Sequence, residues 1–405
     1  MTTSDGRRYS LDAARRTSHL RRVPIDVIPV RGSRALRQFI DVPWRIYDTE
    51  RYPRWVPPLR LMVRDAVDTK KNPMYRAADR ELFLAVRDGR VVGRVAAVEN
   101  RAHNEFHGDR VGFFGFYESF EDQEAANALF GAAHDWLARR GLEAMRGPMS
   151  PSTNAECGLL VDGFDQHPMF MTPWNPPYYL TLFEQAGLAP VKDLLGYQFP
   201  FGPQGIHSDA RTEAHARRAA GDAGVSFRSI DMRHFRADLD RAWEIYNSAW
   251  DRNWGFVPMS YEEFTHMARD LKPLIRPDWA LVAEVNGTAA GFFLALPDFN
   301  VLFKRIGNGR LLPTGLYHLL TGKMKLRTGR VLLLGVKPEY RTRSIFALLL
   351  HEILRRGYES GVETAEASWI LEDNLPMRRP LERLGARVYR RWRIYERPVV
   401  PAAAR

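Results

Sequence analysis

The feature that most constrains this chain is an internal repeat. Residues 81–98 read ELFLAVRDGRVVGRVAAV, and residues 279–296 read WALVAEVNGTAAGFFLAL. Each stretch consists of an apolar run, an Asp-Gly or Asn-Gly pair, and a second apolar run. Because these dipeptides tolerate the positive φ angles of a type I′ turn, both stretches predict a β-hairpin. Self-similarity on this scale indicates two copies of one folding unit.

The elements after each hairpin also repeat in order. Each half continues with a strand, a helix, a strand, an asparagine-led helical segment and a last strand. In the first half these are predicted at 111–119, 121–141, 142–150, 175–188 and 191–200, and in the second at 330–340, 343–357, 362–370, 374–386 and 387–397. Two longer segments, 39–59 and 239–271, precede the hairpins, and each begins as a helix and passes through a loop rich in Trp and Pro.

The repeat predicts two domains, which suits a chain of 405 residues. The fold class is α/β (α+β), with a mixed central sheet flanked by helices in each domain. The predicted bounds are a basic arm at 1–25, an N-terminal domain at 26–201, a linker at 202–210, a C-terminal domain at 211–397 and a tail at 398–405.

Composition limits the ligands and the cellular location that we expect. The net charge of +11 favours anionic ligands such as nucleotides, phospholipid surfaces or RNA. A single cysteine, Cys157, excludes an intramolecular disulfide and suits a reducing cytoplasm. No apolar run approaches the roughly 18 residues of a membrane helix, and the basic N-terminus lacks the apolar core of a secretory signal. We therefore predict a cytoplasmic location, with contact at the inner membrane face left open.

One histidine pair has the spacing of a metal site. His103 and His107 could share a metal ion only on a helix. They lie among Asn104, Gly108 and Asp109, which favour a loop. We predict exposed histidines in a loop and no metal.

A strand-turn-helix in the second half has the pattern of a phosphate site. Residues 335–350 read GVKPEYRTRSIFALLL, with Arg341 and Arg343 in the turn. A helix start offers unpaired N–H groups and a positive dipole end, and both suit phosphate. The equivalent turn in the first half, residues 118–122, is acidic. Any such site is therefore assigned to the second half, with the first half completing the cleft.

Together with the repeat, this turn resembles the GNAT acyltransferase superfamily in its tandem form, over nearly all of the chain after residue 25. In that family acyl-CoA wedges between two splayed strands, and an Arg/Gln-x-x-Gly-x-Gly/Ala turn binds its pyrophosphate. Arg341 matches the first position, whereas Ser344 and Phe346 replace the glycines. The resemblance implies acyl-CoA, acetyl-CoA or acyl carrier protein as the donor and no metal. The cofactor-binding residues that it implies are Leu334, Gly335, Val336, Arg341, Arg343, Ser344, Ile345 and Asn374.

The family's Asn-x-x-Ala-x-x-x-Tyr motif is only partly present. Asn374 matches the asparagine, but Leu381 replaces the tyrosine that often protonates the leaving thiolate. Tyr389 or water would then take that role.

Acyl transfer to an amine also needs a base and a grip on the acceptor. Glu366 and Glu372 are the candidates for the base, and Glu372 with Asp373 could instead cap the helix that begins near Asn374. Four further residues are candidates for the substrate site, although packing or a plain loop would also explain them: Trp254, Asn154, Glu156 and Asp162.

Three functions follow from these patterns. The first is an N-acyltransferase acting on an amine, including long-chain or lipid-type amines with peripheral membrane or acyl carrier protein contact. The second is an aminoacyl-tRNA-dependent transferase, although no dense Lys/Arg helix with interleaved aromatics appears, so we do not expect nucleic acid. The third is an inactive sensor or scaffold, which Ser344, Phe346 and Leu381 would suit. The oligomeric state is left open.

Overall fold

The computed structural model describes residues 24–201, 210–251, 253–313, 315–343 and 345–400. Most of the predicted arm, linker and tail lies outside these residues, as does Ser344. The strands are β1 (Asp26–Pro29), β2 (Ala78–Arg87), β3 (Arg90–Asn100), β4 (Val111–Ser119), β5 (Ala144–Gly147), β6 (Met149–Ser150), β7 (Glu156–Cys157), β8 (Leu159–Asp162), β9 (Ala189–Pro200), β10 (Val225–Ser229), β11 (Ala280–Val285), β12 (Thr288–Pro297), β13 (Thr328–Val336), β14 (Thr364–Leu371) and β15 (Arg387–Pro398).

Helices connect these strands. They are α1 (Gly32–Asp41), α2 (Pro43–Ile46), α3 (Arg60–Val67), α4 (Arg101–His107), α5 (Gln123–Ala138), α6 (Tyr178–Gln185), α7 (Ala210–Asp222), α8 (Phe235–Ala249), α9 (Tyr261–Leu271), α10 (Asn300–Ile306), α11 (Gly315–Gly322), α12 (Ile345–Glu359) and α13 (Leu375–Arg383). Short 3-10 helices lie at Pro73–Arg76, Lys272–Leu274, Pro277–Trp279, Lys323–Lys325 and Pro338–Arg343. None of the described helices is both long and apolar enough to cross a bilayer.

Both predicted hairpins are confirmed. The β2–β3 turn has φ angles of 51° at Asp88 and 71° at Gly89, and the β11–β12 turn has 48° at Asn286 and 80° at Gly287. Two consecutive positive φ angles are the signature of a type I′ turn. The repeated order of strand, helix, strand, helix and strand is confirmed in both halves.

The two halves share one continuous sheet because their last strands cross over. In the described chain the main order of strands is β1-β2-β3-β4-β5-β15-β9-β14-β13-β12-β11-β10. The last strand of the second half, β15, pairs with β5 of the first half. The last strand of the first half, β9, pairs with β14 of the second half. Each half thus completes the sheet of the other, which brings first-half loops against the second half.

Helices cover the second half of the sheet on opposite faces. On one face α8, α9 and α10 pack against Ala280 and Val282, which are alternate residues of β11. On the other face α12 packs against Leu281 and Ala283. This alternation is the period-2 pattern of a strand buried on both sides.

The prediction of a loop at residues 103–107 was wrong, as was the predicted exposure of His103, whereas His107 is exposed as predicted. These residues lie in α4, where Asn100 caps the helix by accepting a hydrogen bond from the His103 amide. The His103 side chain is buried, and its Nε2 lies 3.4 Å from a carboxylate oxygen of Asp109. Burial lowers the pKa of His103 to about 4. Within the described ranges, no group of three or more His, Cys, Asp or Glu side chains could hold a metal ion.

Candidate active site

The sheet opens between β13 and β14. These parallel strands pair only from Thr328 with Thr364 to Val331 with Ala367. Immediately beyond this point, the register of β13 against β12 skips Leu332. The register of β14 against β9 is likewise irregular between Ala367 and Ile370. Bulges on both strands, at the place where pairing ends, separate them and produce what we call the inter-strand gap.

Two cavities meet at the inter-strand gap. The first, of about 200 Å³, lies on the α8–α9 face of the sheet, and the second, of about 120 Å³, lies on the α12–α13 face. Six residues line both cavities: Trp250, Asn253, Leu332, Ser368, Trp369 and Leu371. A ligand that enters from the α12 side can therefore reach the other face of the sheet through the gap.

The second cavity is mainly apolar. Its lining includes Leu350, Ile353 and Leu354 from α12, and Met377 and Leu381 from α13. The predicted cofactor residues Leu334 and Asn374 also line it. Leucine at position 381 extends the apolar wall where the family motif has tyrosine.

The first cavity is built jointly by both halves. First-half residues supply one wall, and they are Thr153, Asn154, Ala155, Cys157, Met171 and Leu194. Trp254 lines the same cavity from the second half. Asn154 also ties the halves together, because its Oδ1 accepts from the Tyr246 hydroxyl at 2.8 Å and its Nδ2 donates to the Val257 carbonyl at 3.3 Å. The predicted substrate residues Asn154 and Trp254 are thus brought together.

The other two predicted substrate residues lie elsewhere. Glu156 pairs with Ser150 in the β6–β7 ribbon, and the residue is exposed. Protein atoms packed around its carboxyl group nevertheless raise the pKa of that group by desolvation, and the positive charge of Arg330 opposes this effect. Asp162 is exposed at the end of β8 opposite Arg391, and its Oδ1 accepts from the Gly163 amide. Neither residue lines the two cavities.

A buried polar network borders the gap and centres on Glu366, which has 0% of its surface exposed. The Ser368 hydroxyl donates to Glu366 Oε1 at 2.6 Å, and the Tyr389 hydroxyl donates to Glu366 Oε2. Arg330 Nε donates to Ser368 Oγ at 2.9 Å and lies 3.8 Å from Glu366 Oε1. Arg390 lies 3.9 Å from the other oxygen. The network gives the buried carboxylate two hydroxyl donors and two cations, as its burial demands.

Two residues of this network line the cavities. Ser368 lines both of them at the inter-strand gap, and Arg330 lines the first. Glu366 and Tyr389 do not line either cavity. Of the predicted catalytic residues, Glu366 is therefore linked to the gap by its hydrogen bond from the Ser368 hydroxyl. Tyr389 contacts Glu366, and burial raises the pKa of its hydroxyl strongly.

Burial also governs the ionisable groups around this network. It lowers the pKa of Arg330, an effect that Glu366 opposes. It raises the pKa of Cys157 to about 12, so this thiol stays protonated near neutral pH. Asp298 is held by the amides of Phe170 and Asn300, and burial raises its pKa to about 7.

The turn before α12 is basic, but its first arginine faces the protein. Arg341 donates to the carbonyls of Val336 and Ala249, the latter at 2.7 Å, and so braces the turn against α8. Ile345 begins α12 and is buried. Phe346 packs into the apolar clusters beside β13 and does not line the second cavity, so it leaves the cavity open. The Arg343 side chain, like Ser344, lies outside what the structure describes.

Gly335 allows an aromatic ring to approach the splayed strand. A Cβ atom there would lie 2.5 Å from the Trp250 ring and 3.0 Å from Ala249 Cβ. Trp250 lines both cavities. Val336, the last residue of β13, still pairs with Gly291 of β12 and is buried.

The suggestion that Glu372 and Asp373 cap the next helix was wrong, because Asn374 is the cap. Its side chain accepts from the Met377 amide at 3.3 Å. Glu372 instead pairs with β9, where its Oε1 accepts from the Asp193 amide at 3.1 Å. Asp373 forms an ion pair with Lys192 at 2.7 Å. Glu372 does not line either cavity.

Sequence reasoning missed Arg330, Ser368 and Trp250. The available signal was a polar residue inside an otherwise apolar strand, since Arg330 precedes VLLLGV and Ser368 lies in TAEASWIL. Such residues are expensive to bury without partners, so they point to a network or a site.

Comparisons with known proteins place this architecture. The Caulobacter vibrioides (strain NA1000 / CB15N) protein named bacterial ceramide synthase is 34% identical over 381 residues, covering 92% of this chain and 97% of the relative. Protein YghO of Escherichia coli (strain K12) is 35% identical over 378 residues, covering 90% and 93%. No protein-family model matches the sequence.

Solved structures share the fold. A tandem GNAT protein from the clavulanic acid biosynthesis pathway has a TM-score of 0.56 at 15% identity, covering 93% of this chain and 99% of that one. A GCN5-related N-acetyltransferase from Sphaerobacter thermophilus has a TM-score of 0.52 at 16% identity, covering 93% and 96%. At these identities the likeness concerns the fold alone.

Proposed function

The chain belongs to the tandem GNAT family of acyltransferases, and we propose that it transfers an acyl group from acyl-CoA to the nitrogen of a long-chain amine. The observation that carries this proposal is the inter-strand gap, which joins two cavities on opposite faces of the sheet through Ser368. A transferase needs two substrates to meet at one point, and this gap is such a point.

The donor enters from the α12 side. Its phosphates lie near the basic turn at the start of α12, where the helix dipole and the cations favour negative charge. The acyl-bearing arm runs along the apolar second cavity, beside Leu334 and Leu350. The thioester then reaches the gap at Leu332 and Ser368. Arg341 supports the turn through its bonds to the Val336 and Ala249 carbonyls.

The acceptor occupies the first cavity. One relative with 34% identity is named bacterial ceramide synthase, and a ceramide is an amide of a long-chain amine. The cavity has aromatic and methionine walls for an alkyl chain, provided by Trp250, Trp254, Phe256, Met259 and Met267. Thr153 and Asn253 line the same space and supply polar contacts for a head group.

Ser368 and Glu366 move the proton. The neutral amine attacks the thioester carbon, a C–N bond forms, and the amine passes its proton to Ser368 Oγ as the serine proton moves to Glu366. When the C–S bond breaks, the same path returns a proton to the departing thiolate. The 2.6 Å bond from Ser368 to Glu366 Oε1 orients the hydroxyl, leaving a lone pair for the amine. Arg330 and Tyr389 hold this pair in place.

Calorimetry and a product assay test the proposal. Titration of the protein with palmitoyl-CoA, acetyl-CoA and free CoA measures donor binding, and mass spectrometry with a sphingoid base measures amide formation. We expect the long-chain donor to bind best and the amide to form. If none of these donors nor acyl-loaded carrier protein binds, the proposal fails. If aminoacyl-tRNA is the donor consumed, the fold assignment stands but the donor is wrong.

A further inference from the structure

The second half carries a surface that the first half lacks. The connection from β3 to β4 consists of residues 101–110, whereas the connection from β12 to β13 consists of residues 298–327 and contains α10 and α11. This longer connection packs on the protein, because Leu302 and Phe303 of α10 belong to the same buried cluster as Leu294 of β12. Within the connection α11 packs closely on α10, since a Cβ atom at Gly322 would lie 2.4 Å from Leu302. Leu319 also packs against the core beside Leu302. The segment is thus a docked part of the fold.

The outward side of this segment is apolar. Leu320, Leu312, Met324 and Tyr317 are 73%, 71%, 68% and 66% exposed, and Leu316 is 43% exposed. We call these five residues the α11 surface. Contiguous exposed side chains of this size are uncommon on a soluble monomer and mark a site of interaction. These side chains project from the protein and do not line a groove.

Unpaired positive charge surrounds the α11 surface. Arg305, Arg310 and Lys325 are exposed, and none of them forms an ion pair with any carboxylate in the part of the chain that the structure describes. The sequence has no Asp or Glu from residue 299 to residue 338. A partner for this surface must therefore accept both apolar insertion and several cations.

A first-half helix extends the same surface. The Arg60 amide donates to the Gly309 carbonyl at 2.9 Å, so the start of α3 adjoins the loop after α10. Leu61 and Met62 on α3 are also exposed, at 49% and 41%. Arg64 is exposed on the same helix. Both halves thus contribute exposed apolar side chains and cations on neighbouring segments.

We propose that the α11 surface docks the protein on an anionic phospholipid bilayer. Leucine, tyrosine and methionine side chains enter the boundary between head groups and acyl chains, and the surrounding cations contact lipid phosphates. An acidic protein partner would share the charge complementarity but would need a groove for its own apolar residues, whereas these side chains protrude. The proposal rests on this surface and is independent of the reaction.

Vesicle co-sedimentation of the full chain tests the proposal. Vesicles of phosphatidylcholine with about one-third phosphatidylglycerol are compared with phosphatidylcholine alone, at low and high salt. We expect binding to the anionic vesicles at low salt and at least roughly tenfold weaker binding to the neutral ones or at high salt. Equal binding to both vesicle types, or none to either, overturns the proposal.

Variants then locate the contact. Leu316→Ser combined with Leu320→Ser should weaken binding to anionic vesicles roughly tenfold or more, because both side chains enter the bilayer. Arg305→Glu combined with Lys325→Glu should weaken it and flatten its salt dependence. Tyr358→Ser on α12, which removes another exposed aromatic side chain, is the matched control and should leave binding unchanged.

Folding and the alternative partner are checked in the same series. Circular dichroism and the melting temperature should not change in the leucine variant, because its residues are exposed. If the leucine variant binds vesicles like the unaltered protein, the assignment of the surface is wrong. Binding of purified acyl carrier protein that requires Leu316 and Leu320, without vesicle binding, would show a protein-docking surface and overturn the membrane proposal.

Discussion

The two halves of this protein open the same pair of strands but fill the opening differently. In the first half β4 pairs with β5 only from Val111 to Phe113, as β13 pairs with β14 only over four residues. There β6 crosses the space, because a Cβ atom at Gly115 would lie 1.7 Å from the Met149 carbonyl. The Ser150 Oγ accepts from the Phe116 amide at 2.9 Å. In the second half the equivalent space is a cavity.

The turns after these strands differ as well. In the first half Asp122 caps α5 by accepting from the Ala125 amide, and Arg87 forms an ion pair with Asp122 at 2.6 Å. The cap and its salt bridge already occupy the helix start. In the second half the turn carries arginines and the sheet beside it is open. Two copies of one unit thus separate into a closed, structural half and a half with room for a ligand.

The largest effect is expected from the two serines at these openings. Ser368→Ala should lower the rate of amide formation by about 100-fold, because it removes the hydroxyl that links the gap to Glu366. Ser150→Ala should lower the melting temperature and leave the rate nearly unchanged, because it leaves the partly buried Phe116 amide without its acceptor. Steady-state kinetics and thermal unfolding measure both.

A conservative change separates chemistry from structure at position 368. Ser368→Thr keeps a hydroxyl and should recover a large part of the rate that Ser368→Ala loses. If Ser368→Ala has the full rate at every pH, or if Ser150→Ala loses activity to the same degree without unfolding, the two openings do not differ as described.

A second effect is expected from closing the open half as the first half is closed. Ala367 lines the second cavity at the point where strand pairing ends. Ala367→Met should fill that space and lower kcat/KM for a long-chain donor by roughly tenfold. Acetyl-CoA should be affected less, because its acyl group needs less of the cavity. A uniform loss for all donors, with a lower melting temperature, would indicate misfolding.

A smaller effect is expected from charge in the turns. Arg341→Glu should raise KM for acyl-CoA about fivefold at low salt and less at high salt, because it introduces repulsion beside the donor phosphates and removes the brace to Ala249. The reverse change in the first half, Glu121→Arg, should not alter KM. An unaltered KM in Arg341→Glu would place the phosphates elsewhere.

The smallest effect is expected on stability, at the boundary of the halves, where the Asp298 carboxyl group accepts a hydrogen bond from the Phe170 amide of the first half at 2.9 Å. Its pKa of about 7 exceeds the ordinary value of 3.8, so between these values the folded protein holds a proton that the unfolded chain lacks. This group therefore makes stability fall as pH rises from about 4 to about 7, by at most roughly 1.4 kcal/mol per pH unit, and adds no slope above. Asp298→Asn should remove that contribution, which urea unfolding at several pH values would detect. An identical pH dependence in both proteins would contradict this assignment.

Local signals explain what the sequence could predict. Asp88-Gly89 and Asn286-Gly287 required positive φ angles, and the apolar periods fixed the order of elements. The exchange of β9 and β15 could not be predicted, because an alternating strand does not encode which neighbour it pairs with. His103 was misjudged because its burial in α4 depends on Asp109 and packing, which local composition does not contain.

The site was predictable at the level of elements and less so at the level of side chains. Leu334, Asn374, Trp254 and Asn154 line the cavities, since strand ends and loops follow from topology, and their roles in binding stay predictions. Ser368 and Arg330 were missed because their importance depends on the bulges that open the sheet, and a bulge at Leu332 has no signature in an apolar run.

The central claim is that the acyl donor lies in the inter-strand gap of the second half. Photolabelling with a long-chain acyl-CoA that carries a diazirine, followed by peptide mass spectrometry, tests this most directly. We predict labelled peptides from residues 328–336 and 364–371, which free palmitoyl-CoA should suppress. Labelling confined to residues 111–119 and 144–150 of the first half would contradict the claim.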